Sequence, residues 1–159
     1  MALFVRSRKP GDDKFLQELS DEAFGPYSHE PARAVRAMIA SPAARTIVAE
    51  LDGRPVGFVV VTLRRPARAF GPIAEPATAH IDAIAVSTRL RRRGIGKKLL
   101  KLAEAHAREA GAQSLFLMTA VRNRRARKLF EASGFVNLAA LGNAYAFGDR
   151  AIMMMKLVD

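Results

Sequence analysis

A basic loop that contains two glycines is the stretch of this sequence with the clearest chemistry. It covers residues 91–98 and consists of Arg91, Arg92, Arg93, Gly94, Ile95, Gly96, Lys97 and Lys98. An apolar run precedes the loop and an amphipathic segment follows it, so a strand leads into the loop and a helix leaves it. The start of such a helix offers unpaired backbone N–H groups and a positive dipole end to an anion. Gly94 and Gly96 carry no Cβ, which lets a phosphate approach the backbone closely. The loop therefore predicts a phosphate-bearing ligand.

Two titratable side chains, His80 and Asp82, lie in the apolar run before this loop. The run is typical of a buried strand, in which alternate residues point to the same face. Simple alternation places His80 and Asp82 on one face together with Ile84 and Val86. An imidazole or a carboxylate in such a place can accept a proton from a substrate. The alternative is that either side chain only satisfies a local polar contact.

The size and composition are those of a protein with one core. The chain has 159 residues, half of them hydrophobic, which fits a single domain over residues 1–159. No apolar run approaches the ~20 residues of a membrane helix, and the N-terminus lacks the features of a signal peptide. The sequence contains no cysteine, which excludes disulfides, thiolate metal sites and a cysteine nucleophile. We therefore expect a cytoplasmic protein that does not engage a membrane.

The net charge of +11 is high for this length. The basic residues gather in two clusters, which are Arg89, Arg91, Arg92, Arg93, Lys97, Lys98 and Lys101, and Arg122, Arg124, Arg125, Arg127 and Lys128. Such clusters are typical of a solvated surface, a polyphosphate ligand site or a surface for an acidic partner. Nucleic acid is the disfavoured partner, because no aromatic side chains alternate with the basic ones to stack on bases.

Periodicity and turn signals predict about seven strands and about four helices. The order is strand, two helices, three strands, helix, strand, helix and two strands. Asp52-Gly53 predicts a hairpin between the second and third strands, and Pro31 suits the first turn of the second helix. Residues 64–78 are polar, contain prolines and are predicted to be irregular. The order predicts a mixed α/β fold in which antiparallel pairs surround one right-handed strand–helix–strand crossover.

Two motifs in this framework resemble those of the GCN5-related N-acetyltransferase (GNAT) superfamily. The first is Ile84-Ala85-Val86 followed by Arg91-x-x-Gly94-x-Gly96, which is similar to the acyl-CoA pyrophosphate signature of that family. The second is Asn123-x-x-Ala126-x-x-Leu129-Phe130-x-x-x-Gly134-Phe135. Each motif follows a predicted strand, and the resemblance extends over essentially the whole chain. It implies a mostly antiparallel, twisted sheet whose two parallel central strands, 79–86 and 114–119, splay apart around acyl-CoA.

The resemblance also implies a set of contacts to acetyl-CoA. Backbone groups of Ile84 and Val86 would pair with the pantetheine amides, and N–H groups from Arg92 to Lys97 would surround the pyrophosphate. Asn123 would contact the pantetheine arm, and Phe130 would lie beside the thioester sulfur. The cofactor-binding residues implied in this way are Ile84, Ala85, Val86, Arg91, Arg92, Arg93, Gly94, Ile95, Gly96, Lys97, Asn123 and Phe130. The family reaction requires no metal.

The reaction that the resemblance implies is direct attack of an amine on the thioester. A backbone N–H group on the Ile84–Val86 strand would polarise the thioester carbonyl, as in an oxyanion hole. A base near that strand would take the proton of the attacking ammonium group. Asp82 and His80 are both candidates, and Asp82 would act through a water because its side chain is short.

The chain departs from the family pattern at Phe130. Many family members carry a tyrosine at that position, which is their usual general acid, and phenylalanine cannot donate a proton. A thiolate is a tolerable leaving group, because a thiol has a pKa near ~8.5. Tyr145, between the last two strands, and Tyr27, between the first two helices, are the alternative donors. Either tyrosine could instead serve only packing.

The sequence thus predicts an N-acyltransferase that moves an acetyl group from acetyl-CoA to a primary amine on a small molecule or a peptide. Two rival interpretations remain, a non-catalytic acyl-CoA-binding module, which Phe130 favours, and a basic protein associated with nucleic acid. The positive charge argues against a polycationic acceptor such as a polyamine. Oligomeric state stays open, with a homodimer as the common default.

Overall fold

A twisted, mixed sheet is the framework of the computed structural model, which describes residues 2–64, 77–142 and 145–158 and the backbone of 69–70 and 73–74. The strands are β1 (Leu3–Ser7), β2 (Ala44–Leu51), β3 (Arg54–Arg64), β4 (Ala69–Phe70), β5 (Ile73–Ala74), β6 (Thr78–Val86), β7 (Ser114–Ala120), β8 (Val136–Leu141) and β9 (Ala151–Leu157). The α-helices are α1 (Asp13–Phe24), α2 (Pro31–Ala40), α3 (Ile95–Glu109) and α4 (Arg124–Ala132). None of the helices in the described ranges has the length and apolar character to span a bilayer.

Seven strands form the main sheet in the order β1-β2-β3-β6-β7-β9-β8, and β4 and β5 pair with each other. Every neighbouring pair in the main sheet is antiparallel except β6 and β7, which run parallel. α3 supplies the crossover between these two strands. The predicted mixed, mostly antiparallel sheet with one parallel central pair is therefore confirmed.

The β2–β3 hairpin turns at Asp52 and Gly53, as predicted. Both residues have positive φ, 51° and 81°, which is the backbone of a tight hairpin turn that matches the twist of the strands. The predicted irregular connection over 64–78 lies partly outside the described residues, and within it the backbone forms the short antiparallel pair of β4 and β5.

Two apolar layers cover the sheet, one on each face. On one face α3 and α4 pack over a core that includes Leu99, Ala103 and Phe130. On the other face α1 and α2 pack over a second core through Leu16 and Val35. The central strand β3 contributes to both cores, because its buried residues alternate between the two faces.

A bulge interrupts the pairing of β6 with β3. Val60 pairs with Ala83 and Val61 pairs with Ile81, so Asp82 is the extra residue. A bulge of this kind inserts one residue into one strand and shifts the alternation of all the residues that follow. The bulge therefore divides β6 into two halves with opposite side-chain registers.

An ion-pair network fixes the start of α1 against the sheet edge. Arg6 on β1 donates two hydrogen bonds to the Asp12 carboxylate, at 2.8 and 2.9 Å, and a third to Glu50 on β2 at 2.6 Å. Asp12 also accepts the backbone N–H of Lys9 at 2.7 Å. The Asp12 residue is only 5% exposed. The hydrogen bond from Arg6 holds the pKa of Asp12 below its ordinary value of 3.8.

We predict that Asp12→Asn lowers the free energy of unfolding by about 2 kcal/mol near neutral pH, because a partly buried Arg6 loses one of its two charged partners and keeps only Glu50. Since the folded pKa of Asp12 is lowered, its contribution is complete above the unfolded pKa of about 3.9 and is lost as pH falls through the lower folded value. Urea unfolding at several pH values measures both effects. The matched control is Asp13→Asn, since the Asp13 side chain is 57% exposed and should contribute about 0.5 kcal/mol or less. Equal losses in the two variants would contradict the prediction.

Candidate functional site

The parallel strands β6 and β7 separate after a short region of pairing. They pair only where Thr78–Ile81 lies beside Ser114–Leu117. Beyond this region β6 continues to Val86 on β3, and β7 continues to Ala120 on β9. A gap therefore opens between the carboxyl ends of the two strands, and the facing backbone edges are not bonded to each other.

The backbone groups of Ile84 and Val86 point into this gap. Ser87 donates its N–H to the carbonyl of Val56 on the β3 side at 2.8 Å. In an antiparallel pair, alternate residues are bonded to the partner strand, so Ser87, Ala85 and Ala83 face β3. The N–H and C=O groups of the residues between them face away from β3. The gap thus offers a row of donors and acceptors to an extended ligand with amide groups.

The backbone of the basic loop turns so that the N–H groups at the start of α3 can bind an anion. Gly94 is the N-cap of α3 with φ of 79°, and no side chain caps the helix. Arg92 is also left-handed, with φ of 67°. The first intrahelical bond runs from Lys98 N–H to Gly94 at 3.0 Å, so the N–H groups of the first turn have no acceptor within the helix.

Gly96 keeps this first turn open. A Cβ at this position would lie 3.1 Å from Cδ2 of Leu129 on α4. A side chain at this position would therefore crowd Leu129, and Cγ2 of Val86 lies 3.9 Å away. The missing Cβ fits a site in which a phosphate group contacts the backbone.

Arg91 and Arg125 bring the two basic clusters together at this end of the gap. Nε of Arg91 donates to the carbonyl of Val86 over 3.4 Å. Burial lowers the pKa of Arg91, and the positive charge of Arg125 lowers it further. A guanidinium remains charged under these conditions, so two like charges are held close together. An anionic ligand would relieve their repulsion.

The α4 motif has two separate structural functions. Asn123 caps α4, and its side-chain oxygen accepts the N–H of Ala126 at 3.3 Å. This bond uses only the oxygen of the Asn123 side chain. Phe130 is only 4% exposed, and its ring packs edge-on against Phe135 at 6.1 Å. The α4 position where many family members carry a tyrosine is thus part of the apolar core in this chain.

The bulge at Asp82 overturns the predicted arrangement of side chains on β6. Ile84 and Val86 pack toward the core under α3, whereas Ala85 packs toward α1 and α2. His80 lies opposite Thr62 in the β3 register, on the face that Ala85 also uses. The prediction that His80 and Asp82 share a face with Ile84 and Val86 is therefore wrong, because the bulge shifts the alternation by one residue.

His80 and Asp82 do lie together on one face. The Asp82 carboxylate accepts the hydroxyl of Thr62, which is the register partner of His80. The imidazole of His80 stacks on the ring of Phe116, with centroids 5.3 Å apart. Burial lowers the pKa of His80 below 6.5, Arg64 lowers it further, and the Asp82 carboxylate opposes both. A neutral imidazole near pH 7 can accept a proton.

Tyr145 lies in the turn between β8 and β9, near the end of β7. The first residue of β9, Ala151, pairs with Ala120 at that end of β7, and Val121 donates its N–H to Arg150 at 2.9 Å. Burial raises the pKa of Tyr145 to about 12. The phenol therefore stays protonated at neutral pH and retains a proton to donate.

The segment from α1 to α2 spans the open end of the gap. On the β6 side, Glu22 of α1 accepts the hydroxyl and, at 3.3 Å, the N–H of Thr88. On the β7 side, Arg122 donates to the carbonyl of Pro26 at 2.7 Å. Glu22, Thr88 and Thr62 are not among the site residues predicted from the sequence. No local signal marks these residues, because their partners are distant in the chain.

Arg122 differs from the other members of its basic cluster. Its guanidinium makes a two-point contact with Asp149, at 2.6 and 2.9 Å. By sequence, Arg122 belongs to a basic cluster for which a polyphosphate site was one of the predictions. In the structure its charge is already paired.

The described residues include no group of three His, Asp or Glu side chains that could hold a metal ion. Three features of the arrangement fit acyl-CoA. They are the gap lined by backbone amide groups, the open helix start at Gly96, and the two neighbouring positive charges of Arg91 and Arg125. These parts match the pantetheine arm and the pyrophosphate of that molecule.

Comparison with known proteins gives a consistent result. A family model described as the acetyltransferase (GNAT) family matches residues 13–135. An N-alpha-acetyltransferase from Sulfurisphaera tokodaii is 32% identical over 112 residues, which cover 67% of this chain and 65% of the relative. The chain therefore spans slightly less than two thirds of the length of that relative.

Solved structures share the fold. NAA60 from Arabidopsis thaliana in complex with acetyl-CoA has a TM-score of 0.84 at 16% identity, with 99% of each chain covered. Ard1 from Thermoplasma volcanium has a TM-score of 0.80 at 24% identity, with 100% of this chain and 99% of that chain covered. Since the family model takes in the splayed strands, the basic loop and α4, the chain belongs to the acetyltransferase (GNAT) family.

Proposed function

We propose that this protein transfers an acetyl group from acetyl-CoA to a primary amine. The observation that carries the proposal is the gap between β6 and β7, into which the backbone groups of Ile84 and Val86 point, together with the uncapped helix start at Gly94 and Gly96. An extended amide-containing arm that ends in a diphosphate matches this combination. Acetyl-CoA has both parts and supplies an activated acyl thioester when bound.

The acceptor that we propose is the α-amine of a peptide chain. The similarity to the Sulfurisphaera tokodaii N-alpha-acetyltransferase supports this choice. The adjacent rings of His29 in the α1–α2 turn and Phe147 in the β8–β9 turn, 4.5 Å apart, support it as well. Such rings can pack against the side chain that follows an α-amine.

In the proposed mechanism the residues of β6 activate the acceptor. The acceptor nitrogen bonds to the acyl carbon, the carbon–sulfur bond breaks, the nitrogen releases a proton to solvent, and the leaving thiolate takes one up. Before this attack the acceptor ammonium group must lose its first proton to become a neutral amine. His80 or Asp82 takes that proton, and the neutral state of His80 at pH 7 suits it for this role. A backbone N–H group of the Ile84–Val86 segment polarises the carbonyl.

Tyr145 is the proposed proton donor to the leaving sulfur. Phe130 has no hydroxyl and is buried, so the α4 position supplies no proton. The turn that carries Tyr145 leads into β9 beside the end of β7, and the raised pKa of Tyr145 keeps the phenol protonated. Because a thiol has a pKa near ~8.5, below that of this phenol, complete proton transfer is uphill, and Tyr145 would assist the forming thiolate chiefly as a hydrogen-bond donor.

We predict that the purified protein, given acetyl-CoA and a panel of amines, releases free thiol fastest with peptide N-termini. Small amines and polyamines should react more slowly, because they lack an adjacent side chain or carry repelling charge. Thiol release and mass spectrometry of the products measure the preference. If the protein binds CoA but turns over no amine, it is the non-catalytic module that Phe130 favours, and the proposed activity is wrong.

We predict that Gly96→Glu weakens CoA binding roughly 100-fold, because it places a carboxylate where the diphosphate would lie. The fold should persist, since the nearest atom to the new Cβ is the flexible end of Leu129. Calorimetric titration with CoA measures the affinity, and circular dichroism monitors the fold. Gly11→Glu is the matched control, because a Cβ there meets nothing within 4 Å. Unchanged CoA affinity in Gly96→Glu would remove the basis for the site.

The pH dependence separates the two candidate bases. If His80 is the base, kcat at saturating substrates should fall as pH drops through the lowered pKa of His80, below 6.5. His80→Asn should then reduce kcat by roughly 10²–10⁴-fold and abolish this dependence, while Asp82→Asn retains it. The opposite pattern would assign the base to Asp82. If neither variant changes kcat or its pH profile, both residues serve only local polar contacts.

A further inference from the structure

Arg122 connects three parts of the chain that meet at the open end of the gap. It lies in the turn between β7 and α4, next to the α4 cap Asn123. It reaches the β8–β9 turn through Asp149 at 2.6 and 2.9 Å. It also reaches the α1–α2 turn through the carbonyl of Pro26 at 2.7 Å. The same guanidinium lies over the ring of Tyr27, 4.5 Å from its centroid.

These contacts of Arg122 depend on the planar shape and the several N–H donors of the guanidinium group. The planar fork matches the two carboxylate oxygens of Asp149, a further N–H reaches a carbonyl, and the flat face stacks on an aromatic ring. Lysine has one ammonium group and cannot make these contacts together. The Asp149 side chain is 12% exposed and that of Arg122 is 52% exposed, so the pair lies at the surface with its carboxylate the better covered of the two groups.

A second contact joins the same two turns. The ring of His29 in the α1–α2 turn lies 4.5 Å from the ring of Phe147 in the β8–β9 turn. Phe147 has a left-handed backbone with φ of 65°, a conformation that a bulky residue keeps only when its surroundings hold it. Asp149 is two residues further along, so its pairing with Arg122 supports this conformation.

The β8–β9 turn links these contacts to Tyr145. The Tyr145 N–H donates to the carbonyl of Asp149, and the Asp149 N–H donates to Ala146, both at 3.4 Å. A residue that holds the Asp149 side chain therefore also holds the backbone that carries Tyr145. On the opposite side of the gap, the contact of Glu22 with Thr88 anchors α1 to the segment that follows β6. Among the described residues, Arg122 supplies the side-chain hydrogen bond that ties the α1–α2 turn to the end of β7.

We propose that Arg122 is a positioning residue that fastens the α1–α2 turn and the β8–β9 turn to the end of β7 and thereby sets the acceptor opening and the place of Tyr145. The proposal deepens the proposed function and rests on it for the kinetic readouts. Arg122 itself contacts neither the acyl group nor the acceptor nitrogen. Its charge is balanced by Asp149. It therefore holds the two turns in place and is not available to a phosphate of the acyl donor.

The first test compares Arg122→Lys with Arg8→Lys. Arg8 is the matched control, because it is also paired with an aspartate, Asp13, at 2.7 Å but lies far from the gap. Arg122→Lys should raise the KM for a peptide acceptor and lower kcat, each roughly tenfold, with the KM for acetyl-CoA changed less than about twofold. Arg8→Lys should change none of these constants. A large loss of acetyl-CoA affinity in Arg122→Lys would instead place Arg122 in the phosphate site and overturn the proposal.

The second test asks whether Arg122 acts through its proposed partners. Asp149→Asn should reproduce part of the Arg122→Lys effect, and the double variant should lose little more than Arg122→Lys alone, because both changes remove one interaction. In a Tyr145→Phe background, Arg122→Lys should no longer lower kcat but should still raise the acceptor KM. Simple additivity in both combinations would show that Arg122 acts elsewhere.

The third test does not need activity. Hydrogen–deuterium exchange of the full chain should be slow at the amides of Tyr27 and Ser28, which donate to Phe24, and at those of Tyr145 and Asp149. Arg122→Lys should accelerate exchange in both turns at once, while Arg8→Lys should not. If the wild-type protein turns over no amine, the proposed function fails, and exchange still decides the role of Arg122. Unchanged exchange at both turns would overturn that role.

Discussion

Where two neighbouring strands separate, each leaves backbone hydrogen-bonding groups that need another partner. β6 and β7 pair over Thr78–Ile81 and then part, and the remaining architecture accommodates that separation. β3 and β9 bond the outer edges of the two strands, so the inner edges can stay open without loss of the sheet. The gap is thus a permanent feature of the backbone, and a ligand with amide groups can complete the missing ladder.

The arginines around the gap differ in whether a carboxylate balances their charge. Arg91 and Arg125 repel each other at the end near the α3 start, where an anionic ligand would stabilise both. Arg122, from the same part of the sequence as Arg125, is neutralised by Asp149 on the other side of the gap. A cationic acceptor amine that approaches the proposed opening therefore meets the guanidinium of Arg122 with its charge already balanced by Asp149. The net charge of +11 does not by itself reveal this division.

Much of the fold follows from local patterns in the sequence. The hairpin at Asp52-Gly53, the cap at Asn123 and the left-handed Gly94 each depend on the conformational preferences of single residues. Amphipathic periodicity placed the four helices, because a helix must bury its apolar face wherever it lies. The candidate cofactor residues lie on these same local elements, which explains how sequence motifs could indicate them.

The sequence by itself determined the elements, their order and the residues near the gap, because these depend on neighbours a few positions apart. Tertiary structure alone decided which face each residue of β6 uses, since the bulge at Asp82 exists only in the pairing with β3. It also decided that Phe130 is buried against Phe135. The partners of Arg122 lie 27 and 96 positions away. Contacts at such separations are set by the packing of the whole sheet, and no local pattern encodes them.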